Sequence, residues 1–154
     1  MPAMEFFSRL IATFFGAGYA PKAPGTAGTC ATLPLYLLLR KLTLFRYLLV
    51  VGFLAVLGTA ASSRVEKVWG KDPSRVVIDE VVGILIALVS RPKGLGEIMA
   101  AFVLFRLFDI IKPPPVGSLE RLPGGAGIMA DDMAAGALSA LVLAGIKRAA
   151  KISL

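Results

Sequence analysis

The chain has 154 residues, 56% of them hydrophobic and 18% charged, with a net charge of +7. Ordinary soluble domains carry about 25% charged residues, so this composition and a mean hydropathy of +0.77 point to a membrane protein, with residues 1–154 forming one domain. Cys30 is the single cysteine and there is no histidine, which excludes an intrachain disulfide and every histidine base, nucleophile or metal ligand. The basic balance suits anionic lipid or a phosphorylated substrate. No Lys/Arg-rich run or basic-aromatic platform is present, which argues against nucleic acid. The plainer alternative is a soluble helical module with a greasy surface.

Residues 1–15 are apolar but short and carry Glu5 and Arg9. They lack the basic start and small-residue cleavage site of a signal peptide, and read as a short interfacial helix. Five longer apolar segments follow, at about 30–39, 45–62, 76–89, 98–111 and 133–146. The expected fold is an all-α bundle with four to five membrane-embedded helices. Only the segment at 45–62 approaches the ~20 residues of a simple span. If all five cross, every acid except Glu97 falls on one side: Glu5, Glu66, Asp72, Asp79, Glu80, Asp109, Glu120, Asp131 and Asp132. Lys and Arg divide evenly between the sides once Arg106 is set aside, so the positive-inside rule does not orient the chain.

The loop before the second segment reads Gly16-Ala-Gly-Tyr-Ala-Pro-Lys-Ala-Pro-Gly-Thr-Ala-Gly-Thr29. Thr26 and Thr29 are candidate caps for the next helix, whose N-terminus with Lys22 forms a candidate phosphate cradle. An ordinary rigid turn is the alternative. The loop lacks the Gly-Lys-Ser/Thr ending of a Walker A motif.

Lys71-Asp-Pro-Ser-Arg-Val-Val-Ile-Asp-Glu-Val-Val-Gly83 opens the fourth segment. With Ser74 as N-cap, Asp79 and Glu80 sit about one turn into an apolar helix. Buried carboxylates there are costly without a cation; Lys71 or Arg75 could supply it as an ion pair. In Phe105-Arg-Leu-Phe-Asp-Ile-Ile-Lys-Pro-Pro-Pro115, Arg106, Asp109 and Lys112 recur at spacing three on one flank. Asp109 is either a metal ligand between two cations or the middle of an ion-pair ladder. In Leu122-Pro-Gly-Gly-Ala-Gly-Ile-Met-Ala-Asp-Asp-Met-Ala-Ala-Gly136, Asp131 and Asp132 are expected in the first turn of the last helix. There the helix dipole is the competing explanation.

Asp79, Glu80, Asp109, Asp131 and Asp132 thus converge as candidate ligands of a hard divalent cation, Mg²⁺, Mn²⁺ or Ca²⁺. Such a cation activates water and neutralises developing phosphoryl charge. A cysteine phosphatase needs an Arg six residues after its Cys, where this chain has Tyr36. The Asp-x-Asp pattern of haloacid-dehalogenase phosphatases is also absent. Intramembrane acids also mark ion pathways, so a transport protein is a second alternative.

Read in order, residues 18–29, 77–83, 105–115 and 124–136 resemble the phosphatidylglycerophosphatase A family. The resemblance implies Mg²⁺-dependent hydrolysis of phosphatidylglycerophosphate to phosphatidylglycerol and phosphate, within bacterial phospholipid synthesis. It also implies an inner-membrane location with the site facing the cytoplasm. On this reading Asp79, Glu80 and Asp132 are catalytic, and all five acids contact the metal. Lys22, Thr26, Thr29, Arg106 and Lys112 contact the substrate phosphate.

Overall fold

The structure is a computed structural model that describes residues 2–152. Met1, Ser153 and Leu154, part of the expected domain, lie outside the described residues. Among those described, the chain forms seven α-helices, one 3-10 turn and no strand. Helix α1 (Pro2–Ala12) gives way to left-handed backbone at Phe14 and Phe15 and then to the 3-10 turn Ala17–Tyr19. Helix α2 (Pro24–Leu39) opens on a proline, whose fixed φ and missing N–H suit the first helical position. It therefore starts six residues before the expected Cys30.

Helix α3 (Leu44–Trp69) is capped by Thr43, whose Oγ1 accepts from the Arg46 N–H, and ends at Gly70, φ 91°. Helix α4 (Ile78–Ala87) starts later than expected and stops earlier. The Val77 N–H donates to the Ala12 carbonyl at 2.9 Å, which ties the entrance of α4 to the end of α1. Val77 flanks the helix, and Ser74 does not cap it. Helix α5 (Leu95–Ile111) ends where Lys112 takes left-handed backbone before three prolines. The short α6 (Val116–Leu119) then leads into α7 (Gly125–Ile152).

At 1.5 Å per residue, α4 is only about 15 Å long, half a hydrocarbon core of ~30 Å. The expectation that this segment crosses is therefore corrected: α4 is enclosed by protein, with every residue buried except Glu80 and Ile86, which are half-buried. Its carbonyl ends need partners. The buried Tyr47 hydroxyl donates to the Leu85 carbonyl at 2.6 Å, and the Tyr36 hydroxyl donates to the Pro92 carbonyl at 2.5 Å. Pro92 lies past the end of α4, so side-chain hydroxyls satisfy one carbonyl within the helix and one in the segment after it.

Helix α7 packs closely on α4 through glycine. A Cβ on Gly136 would overlap the Gly83 carbonyl oxygen, and one on Gly83 would lie 2.6 Å from Cζ of Phe105. Two cross-links give the helix directions: the Gly125 N–H donates to Ser63 Oγ at 2.9 Å, and Lys147 pairs with Glu97 at 2.8 Å. The end of α3 therefore meets the start of α7, and the start of α5 meets its end. Helix α3 and residues Gly125–Ala150 of α7 are long and apolar enough to cross a membrane.

Candidate active site

Four helices and the loop segments beside them meet at a cleft of about 300 Å³. The first turn of α4 supplies Asp79 and Glu80, and the last two turns of α5 supply Arg106 and Asp109. Lys112 follows, and α7 supplies Asp131 and Asp132. The start of α2 closes the group with Ala23, Pro24 and Gly25, while Asp72, Pro73 and Ser74 form the facing rim. Seven predicted site residues thus share one cleft.

Asp131 and Asp132 do not lie in the first turn of α7. That helix begins at Gly125, so they stand nearly two turns in, beyond the reach of the helix N-terminus. Gly125 and Gly127 lie inside this helix, and α3 leaves no room for a side chain at the first: a Cβ on Gly125 would lie 2.7 Å from the Ser63 backbone nitrogen.

The acids divide into three groups. Ligand atoms of Asp79, Glu80 and Asp132 all lie within 4.8 Å of one another. Asp109 Oδ2 lies 2.6 Å from Arg106 Nη1, which also stands 3.8 Å from Glu80 Oε1. Asp131 Oδ2 accepts from Lys112 Nζ at 2.7 Å, and Glu120 Oε2 lies 3.4 Å from the same nitrogen. Neither Lys71 nor Arg75 pairs with Asp79 or Glu80 among the described residues. The guanidinium of Arg75 lies over the Tyr19 ring instead. Lys112 likewise turns to Asp131 and Glu120 rather than extending the Arg106–Asp109 pair into a ladder.

Burial opposes the charge on Lys112, but its hydrogen bond to Asp131 and the charges of Asp131 and Glu120 outweigh that and raise its pKa above the usual lysine range. The ammonium is therefore held charged at neutral pH. Around the trio, charge is unbalanced. Asp79 Oδ1, Glu80 Oε2 and Asp132 Oδ2 are buried with no hydrogen-bond partner among the described residues. Buried polar atoms ordinarily have partners, and clustered carboxylates repel unless a cation lies among them. The Arg106–Asp109 contact is an ion pair without hydrogen-bond alignment, which leaves Arg106 Nε and Nη1 with unused donor capacity.

The start of α2 presses directly on this charge centre. A Cβ at Gly25 would overlap Glu80 Oε1 and lie 3.1 Å from both terminal nitrogens of Arg106. Only glycine allows the helix N-terminus, with its unpaired amides, to come this near. The other expected phosphate contacts fall outside. Lys22 is exposed and does not line the cleft. Thr26 and Thr29 lie inside α2 and cap nothing, and the buried Thr29 hydroxyl donates to the Gly25 carbonyl at 2.8 Å. Glu120 and Ser74 were missed as site residues. Glu120 reaches Lys112 only because the prolines and α6 reverse the chain, which no helical spacing reveals.

The chain was compared with known proteins. Residues 10–147 match the family model described as phosphatidylglycerophosphatase A. The chain is 38% identical to phosphatidylglycerophosphatase A of Escherichia coli strain K12 over 137 residues, covering 87% of this chain and 80% of the relative. It is 37% identical to the Haemophilus influenzae protein of the same name over 142 residues, covering 90% and 87%. It is 41% identical over 152 residues to a Bacteroides thetaiotaomicron protein named "Putative phosphatidylinositol-3-phosphatase", covering 94% of this chain and 96% of the relative. No solved structure matches the chain. With the family model spanning most of its length and these relatives aligned nearly end to end, the chain belongs to the phosphatidylglycerophosphatase A family of phosphatases.

Proposed function

We propose that this chain removes the terminal phosphate of phosphatidylglycerophosphate, leaving phosphatidylglycerol, with Mg²⁺ held by Asp79, Glu80 and Asp132. The observation that carries the reading is the buried trio, whose oxygens lie within 4.8 Å of one another beside Arg106 and Lys112. The donor set fits a hard cation: all oxygen, with no histidine in the chain and one partnerless buried oxygen on each acid. When bound, Mg²⁺ neutralises phosphoryl charge and lowers the pKa of a coordinated water. Asp109 and Asp131 support the centre through Arg106 and Lys112.

The remaining chemistry falls to the chain. Arg106, with unused donors, and Lys112, held charged, contact the phosphoryl oxygens, and the first turn of α2 offers its amides to the same charge. As the water oxygen bonds to phosphorus and the phosphorus–glycerol oxygen bond breaks, a carboxylate of the trio takes the water proton. That carboxylate then delivers the proton to the departing glycerol oxygen, so lipid alcohol and inorganic phosphate are the products.

The bundle is proposed to lie in the bacterial inner membrane with this site facing the cytoplasm. Helices α2, α3, α5 and α7 each expose large apolar side chains, as at Leu38, Phe53, Val103 and Leu141, and they surround α4. Helix α1, with Phe6 and Phe7 exposed, lies at the interface. The decisive assay offers phosphatidylglycerophosphate and phosphatidylinositol 3-phosphate to the purified protein, each with Mg²⁺ and with EDTA. The reading expects Mg²⁺-dependent phosphate release from the first. Preference for the inositol lipid would move the headgroup assignment toward the name of the Bacteroides relative and leave the phosphomonoester chemistry in place.

A further inference from the structure

We propose that the end of the bundle opposite the acids holds an anionic glycerophospholipid, its phosphodiester in a basic cleft and its acyl chains along α2 and α3. The cleft, about 470 Å³, is lined by Arg40, Lys41, Leu42, Ser90, Arg91 and Lys93, four cations with no acid among them. This inference rests on reading the bundle as membrane-embedded.

The cleft is built rather than incidental. Arg91 takes left-handed backbone, φ 53°, and its Nη1 donates to the Leu42 carbonyl at 2.5 Å. Arg40 Nη1 donates to the Lys93 carbonyl at 3.3 Å. The two guanidiniums thus fasten the α2–α3 connection to the segment after α4, each with donors to spare. Lys41 and Lys93 form no ion pair among the described residues. Glu97, the acid at this end, is engaged by Lys147 at 2.8 Å. Four like charges in one cleft repel, and a bound anion removes that penalty.

The rim indicates which anion. Leu38, Leu44 and Phe45 are 65%, 46% and 72% exposed beside the cleft, where α2 ends and α3 begins. A cationic cleft joined to an exposed apolar helix surface matches a phosphodiester headgroup with two acyl chains. A free anion would use only the first half of that surface.

The test uses the full chain and the double variant Lys41→Gln/Lys93→Gln, which keeps both guanidinium fastenings. Solubility without detergent is read first; a protein that stays in solution overturns both the membrane reading and this proposal. Protein in phosphatidylcholine discs doped with phosphatidylglycerol is then examined by native mass spectrometry for retained lipid, with and without inorganic phosphate. The expected result is preferential retention of phosphatidylglycerol, weakened about thirtyfold in the variant, with Mg²⁺-dependent phosphate release unchanged. Equal retention by the two proteins, or of the two lipids by the unsubstituted chain, overturns the proposal. Displacement of the lipid by millimolar inorganic phosphate overturns it too, by making the cleft a phosphate site.

Discussion

Lys112 Nζ lies 2.7 Å from Asp131 Oδ2, and this pair separates two adjacent aspartates. Ligand atoms of Asp132 stay within 4.8 Å of those of Asp79 and Glu80, while Asp131 holds Lys112, the lysine proposed to contact the phosphate. Asp132→Asn is expected to abolish Mg²⁺ binding in calorimetry. Asp131→Asn should weaken it by about 10–100-fold without abolishing it, as for a supporting partner, while raising KM. Equal loss of Mg²⁺ affinity in both variants would restore Asp131 to the ligand set.

Gly25 and Glu80 make a second test. Gly25→Ala forces its Cβ into Glu80 Oε1, and a displacement of about 1 Å in a reacting centre costs roughly 10²-fold in rate. We expect that loss in kcat with the melting temperature nearly unchanged. Full activity in the alanine variant would show that the start of α2 does not set the position of Glu80.

Thr29 separates the sequence expectation from the structure. Its hydroxyl is committed to the Gly25 carbonyl, so Thr29→Val should leave KM for the lipid within about twofold and lower stability by ~1 kcal/mol, the net worth of one hydrogen bond. A large rise in KM at unchanged stability would return Thr29 to the phosphate contacts.

Gly136→Ala tests the packing that carries Asp132. The added Cβ meets the Gly83 carbonyl, and overpacking of this kind costs about 1–3 kcal/mol. Thermal unfolding in detergent should show a clear drop in Tm. An unchanged Tm would mean that α4 and α7 separate without penalty.

Much of the site was legible because apolar runs that turn acidic at their ends must bring those ends together. Asp79, Glu80, Asp109, Asp131 and Asp132 were gathered on that ground, and they share one cleft. Their division was not legible, since Lys112 reaches Asp131 only after the chain reverses through Pro113, Pro114 and Pro115. Helix starts were misjudged where a local rule yielded to packing. Gly125 and Gly127 read as a loop but lie in α7, the first of them against α3. Thr26 and Thr29 read as caps because Pro24 was not taken as the opening residue of α2. The late start of α4 goes with the bond between Val77 and Ala12, a contact between distant segments that no pattern within either one encodes.

The role proposed for the buried trio is to bind the cation required for lipid phosphate release. Its most direct test measures inorganic phosphate released from phosphatidylglycerophosphate by the purified chain and by Asp79→Asn, in Mg²⁺ and in EDTA. Release is expected from the unsubstituted chain in Mg²⁺ alone and none from the variant in either condition, with its helical circular dichroism retained. Release that persists in EDTA, or near-normal turnover by a folded Asp79→Asn, would contradict it.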